Sequence, residues 1–160
     1  MGPRRPPVDP DVDLSVPRQR AELRGGTASL LAVIAVGGMT GAVARHGLAV
    51  ALPHPPHGFP WSTFAVNVSG CLLIGVLMVL ITEAWTAPRL VRPFLGVGVL
   101  GGYTTFSTYA VEVQQAVAAG AARTGLLYLA GTIVAALTAV FLGITLARLA
   151  TGVGRDRSGG

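Results

Sequence analysis

Cysteine and charge are the two things this chain nearly lacks. Charged residues make up 12% of its 160 and hydrophobic residues 51%, with a mean hydropathy of +0.61. That balance excludes an ordinary soluble domain of this size. The single cysteine, Cys71, excludes an intrachain disulfide, and within its apolar run it reads as a small packing residue. Lysine is absent, so all 12 basic residues are arginine. The formal charge of +5 invites a nucleic-acid reading. The arginines argue against one, because they sit in an N-terminal tail or flank apolar runs, where they set topology rather than bind phosphates.

What the chain has instead is long apolar runs. A bilayer core of about 30 Å needs about 20 mainly apolar residues per helical span. Four runs meet that length, near Leu30–Leu52, Ser62–Ile81, Phe94–Ala118 and Gly125–Leu146. The expectation is an all-α, multi-pass membrane protein with four transmembrane helices and the lipid bilayer as its surroundings, leaving no room for a soluble catalytic domain. Residues 1–28, rich in Arg and Pro, read as a disordered cytoplasmic tail. Residues 29–148 form the membrane domain, and 149–160 a flexible C-terminal tail. The N-terminal tail is a poor secretory signal, since the apolar run after it is long enough to span and is followed by no obvious small-residue cleavage site.

Two motif matches fail on context. "GVGVLG", Gly96 to Gly101, fits G-x-G-x-x-G, but no strand precedes it and no soluble helix with an acidic partner follows. "NVS", Asn67 to Ser69, falls mid-span, out of reach of glycosylation. His54 and His57, in the proline-rich loop "LPHPPHGFPW", have no third metal-ligand candidate nearby.

Polar groups at membrane depth tend to face a protein interface or a watery path, and here they form stripes. Thr63, Asn67 and Gly70 follow i, i+4, i+7 in the second run. Tyr128 and Thr132 are an i, i+4 pair in the fourth. Phe106, Tyr109 and Glu112 follow i, i+3, i+6 in the third, beside Ser107 and Thr108. Gly37, Gly38, Gly41 and Ala42 give the first run a surface that lets a neighbouring helix approach, and it ends near Arg45. Any one hydroxyl of this kind can satisfy itself on its own helix, and a glycine face by itself means close packing. Asn67 is different, because an amide with two donors and an acceptor needs partners there. The third run carries four glycines within 96–102, so a helix break at Gly101–Thr104 is expected. Freed carbonyls suit a hard cation such as Na⁺, while the nearby N–H, O–H and ring edges suit a small anion.

"GGMTGAVARH" at 37–46, "WSTFAVNVSGCLLIG" at 61–75 and "GVGVLGGYTTFSTYAVE" at 96–112 resemble the signature segments of the Fluc (CrcB) fluoride channels. The resemblance covers about 28 to 148. It implies a passive fluoride-selective channel that lowers cytoplasmic fluoride, not an enzyme, built as an antiparallel dual-topology dimer with two pores. By position it makes Asn67 the pore amide, with Thr63 one turn away, and Phe106 and Tyr109 an aromatic box beside Ser107 and Thr108. Tyr128 and Thr132 match the polar track, Glu112 an acidic position after the second ring, and Arg45 the aqueous mouth. Gly101 and Thr104 match the break whose main-chain carbonyls hold a structural Na⁺ at the dimer centre. Two departures stand out: Tyr109 replaces the usual Phe, and His46 stands where Tyr is common.

With four spans, ten arginines fall on the side of the termini and two, Arg45 and Arg123, on the other. That bias predicts cytoplasmic termini. It leaves two partners open, an identical chain or an oppositely oriented paralogue. Two rival readings are a small proton-coupled exporter and a non-transporting membrane subunit. The exporter needs a carboxylate deep in its binding face, commonly in the first span, and this first span has none.

Overall fold

The structure, a computed structural model, describes residues 17–55, 57–84 and 87–152, and burial from Thr27 onward. Most of both expected tails therefore lies outside the described residues. Among the described residues all the regular structure is helical: α1 (Pro17–Ala51), α2 (Trp61–Val79) continued by a π-helical turn (Leu80–Ala84), a π-helix (Pro93–Leu100), α3 (Gly101–Tyr103), α4 (Ser107–Ala118) and α5 (Ala122–Thr151). Among the described residues, three helices are long and apolar enough to cross a membrane: Thr27–Ala51, Trp61–Ala84 and Ala122–Thr151. The remaining expected run, Phe94–Ala118, is divided among shorter pieces.

α1 is described from Pro17 onward, so helix reaches into the expected tail. The α4 to α5 connection is tight because Gly120 takes φ 77, which spares it the Cβ penalty. Gly120 N–H then donates to Val117 O at 3.0 Å and Ala121 N–H to Ala116 O at 2.9 Å, closing the end of α4. Gly152, with φ 72, ends α5 in the same left-handed region.

Glycine decides which helices touch. α1 lies along the π-helix and α3, and α2 along α5. A methyl group on Gly37 would sit 2.6 Å from Phe94 O, and one on Gly41 would overlap Val99 O. Gly102 meets Gly38 in the same way, so the small-residue surface of the first span is a backbone-to-backbone contact. Gly75 against Val140 O and Gly143 against Leu72 O do this for α2 and α5. At the far end of that pair Arg148 donates from Nε and Nη2 to the two oxygens of Glu83, at 3.0 and 2.7 Å. Large apolar side chains stand outward, among them Val43, Leu137 and Phe141 at 72, 68 and 70% exposure. Such a surface belongs against lipid or another apolar face.

Candidate functional site

The helix between Pro93 and Ala118 breaks at Thr104, which is extended (φ −76, ψ 157), and α4 starts at Ser107. Gly101 to Tyr103 remain helical, so the break falls at Thr104, the last residue of the expected Gly101–Thr104 stretch. Its cause is a side chain on α2. Asn67 Nδ2 donates to Thr105 O and accepts from Thr105 N–H at Oδ1, both at 2.9 Å. In a continuous helix Thr105 N–H would donate to Gly101 O, and Thr108 N–H to Thr104 O. The second amide is also diverted, to Thr105 Oγ1 at 3.2 Å. Gly101 and Thr104 carbonyls are thus released from the donors a helix gives them. Gly70, buried on α2, makes room for the Thr104 methyl, so the Thr63, Asn67, Gly70 stripe is the face on which the broken segment rests.

Two clefts, each of about 430 Å³, share Thr105 as a wall. One is lined by Asn67, Gly101, Thr104, Phe106, Tyr109 and Thr132. The other is lined by Arg45, His46, His54, Thr63, Thr108 and Glu112. The structure therefore gathers most of the expected residues into two groups on either side of the break, while Ser107 and Tyr128 line neither cleft. In the first cleft the Phe106 ring is 79% exposed and lies 5.8 Å from that of Tyr109, which is buried. Thr132 Oγ1 is buried and has no hydrogen-bond partner among the described residues. Ser107, exposed beside the break, has its hydroxyl 3.5 Å from that of Thr105.

Glu112 links α2, α4 and α5. Thr63 Oγ1 donates to its Oε1 and Tyr128 OH to its Oε2, both at 2.8 Å. These two hydroxyls, read from spacing as lining for a path, thus spend their protons on a carboxylate. Tyr128 is fully buried, and its ring meets Tyr109 at 5.1 Å and Phe59 at 5.3 Å, both edge to face. The Tyr109 hydroxyl turns away from the cleft and donates to Leu129 O at 2.6 Å. Substituting Tyr for Phe therefore adds a tie to α5 and leaves the ring in place.

Three contributors escape the sequence reading. Thr105 supplies backbone and hydroxyl to the break, Tyr103 OH meets Ser69 Oγ at 2.9 Å, and His54 Nε2 lies 3.5 Å from Glu112 Oε1. The density of hydroxyls in "TTFST" pointed towards Thr105, but no helical spacing reaches His54 from a proline loop.

Residues 32–144 match the family model described as CrcB-like protein, Camphor Resistance (CrcB). The chain is 54% identical over 127 residues to the fluoride-specific ion channel FluC 2 of Nocardia farcinica, covering 79% of this chain and 91% of that one. It is 58% identical over 121 residues to FluC 1 of Streptomyces coelicolor, covering 76% and 79%. FluC 2 of Streptomyces avermitilis is 54% identical over 125 residues, covering 78% and 79%. These relatives are named as ion channels rather than enzymes, and the resemblance read from the three sequence segments holds along the matched length. With a family model spanning most of its length and relatives this similar, the chain belongs to the CrcB-like family of membrane proteins.

Proposed function

We propose that this chain is a fluoride-specific ion channel that lets F⁻ leave the cell down its gradient, through the cell membrane. The observation that carries the proposal is the pair of clefts meeting at a helix break, lined by donors and ring edges where a continuous apolar helix would offer neither. Fluoride is small and strongly hydrated, so a narrow route must replace its water with several donors at once. The second N–H of Asn67, the Thr132 hydroxyl and the edges of Phe106 and Tyr109 are donors of this kind. In the other cleft Arg45 offers positive charge, with the Thr63 and Thr108 hydroxyls further in. A carboxylate oxygen and fluoride accept the same O–H groups. Glu112 therefore holds Thr63 and Tyr128 in place between passages, and the hydroxyls exchange it for the passing ion.

Residues 29–148 are the channel domain in this proposal, with 93–118 as a broken crossing that completes four spans. The active form is an antiparallel dimer with two pores, which covers the outward apolar faces and the open cleft. The carbonyls of Gly101 and Thr104, released where the amides of Thr105 and Thr108 are diverted, fit a hard cation, so they would hold a structural Na⁺ at the dimer centre. Bound there, it supplies a fixed positive charge between the subunits. The arginine bias favours cytoplasmic termini, and relatives numbered 1 and 2 fit a paralogue as an oppositely oriented partner.

Expression in a bacterium lacking its own fluoride channels tests the proposal. Restored growth in fluoride is expected from this chain, alone or with its paralogue. Membrane-inserted protein that gives no protection in either setting contradicts it.

A further inference from the structure

His54 sits in the loop between α1 and α2, over the cleft that holds Glu112, and both of its ring nitrogens face oxygen acceptors. Nδ1 lies 3.2 Å from the Pro55 carbonyl and Nε2 lies 3.5 Å from Glu112 Oε1. A carbonyl and an ionised carboxylate accept hydrogen bonds and donate none, whereas a neutral imidazole carries one N–H and one lone pair. With neutral His54, one nitrogen must therefore point its lone pair at another acceptor. Only the imidazolium has a proton for both. The loop is pinned where this contact needs it. Gly58 N–H donates to Pro55 O at 2.8 Å, and Phe59 packs on Trp61, Phe64 and Tyr128 at 4.5 to 5.4 Å.

We infer that His54 is a proton-sensitive positioning residue, which in its charged form draws on the Glu112 carboxylate and opens the cleft to the anion. The inference rests on the proposed path through Glu112. Its groups come from every side: Arg45 and His46 from α1, Thr63 from α2, Glu112 from α4, and Tyr128 from α5 on the second carboxylate oxygen. The imidazolium offsets the carboxylate charge that repels an arriving anion. Histidine changes charge between about pH 5 and pH 8, and the charged form grows as pH falls. Flux through this cleft therefore rises towards acid.

The test is fluoride efflux from liposomes carrying the full chain, between about pH 5.5 and pH 8. Protein-free vesicles at each pH subtract the leak of neutral hydrogen fluoride. The rate should rise about tenfold towards acid, the low end of electrostatic steering. His54→Gln should flatten the profile, His54→Lys should be fast at every pH, and His57→Gln, exposed in the same loop and outside both clefts, should keep the wild-type slope. A flat wild-type profile, or a slope that survives in folded His54→Gln and His54→Lys, overturns the inference. Glu112→Gln separates it from the path reading. Loss of slope in that variant supports both. Wild-type rate and slope in it would place Glu112 outside the route and overturn both.

Discussion

Asn67 on α2 and Thr105 at the helix break hold each other by two hydrogen bonds of 2.9 Å, one in each direction between an amide side chain and a single residue's backbone. This pairing does the work of a missing helical turn, since it satisfies the N–H and C=O that the break exposes. Asn67→Ala removes both bonds and leaves both backbone groups without them. A loss of about 2 kcal/mol or more is expected, seen as a lowered melting temperature in detergent, together with loss of fluoride flux. Asn67→Asp keeps the acceptor and loses the donor, so it should recover only part of the stability.

The buried hydroxyl of Thr132 has no partner among the described residues and lines the cleft. An unpaired buried hydroxyl contributes nothing to folding, so Thr132→Val should melt at or above the wild-type temperature. If the hydroxyl serves the ion, flux falls several-fold in the same variant. Opposite movement of stability and flux distinguishes a path residue from a packing residue.

Tyr109→Phe removes the bond to Leu129 O and keeps the ring. About 1 kcal/mol of stability should be lost, with fluoride selectivity retained. A selective channel that becomes leaky to chloride on this change would mean that the hydroxyl, rather than the ring, faces the ion.

Gly41→Ala places a methyl on Val99 O and 2.7 Å from Tyr103 N. Neither backbone can yield cheaply, so about 1–3 kcal/mol should be lost. Gly131→Ala is the control, because nothing lies within 4 Å of the added methyl and the helix gains from losing a glycine. Thermal melts of the two should move in opposite directions.

The long helices were legible because hydropathy over some twenty residues depends only on local sequence. The glycine face of α1 was legible too, since Gly37 and Gly41 fall on one side by spacing alone. The break lies at the last residue of the stretch expected for it, Gly101–Thr104. Its glycines permit a bend, but the chain leaves the helix where Asn67, distant in sequence, captures Thr105. The roles of Thr63 and Tyr128 were half legible for the same reason. Periodicity put them on polar faces, but a hydroxyl's partner depends on which helix packs opposite, and that partner is Glu112. His54 carries no periodic signal, so only the fold brings it to the carboxylate.

The central claim is selective, passive fluoride conduction, and the most direct measurement is ion loss from proteoliposomes loaded with fluoride or with chloride. The chain is reconstituted alone and, in parallel, with an oppositely oriented paralogue. The account predicts rapid loss of fluoride with chloride retained, needing no proton gradient and slowed by Asn67→Ala. Well-folded protein that retains fluoride in both reconstitutions, or that releases chloride equally fast, would contradict it.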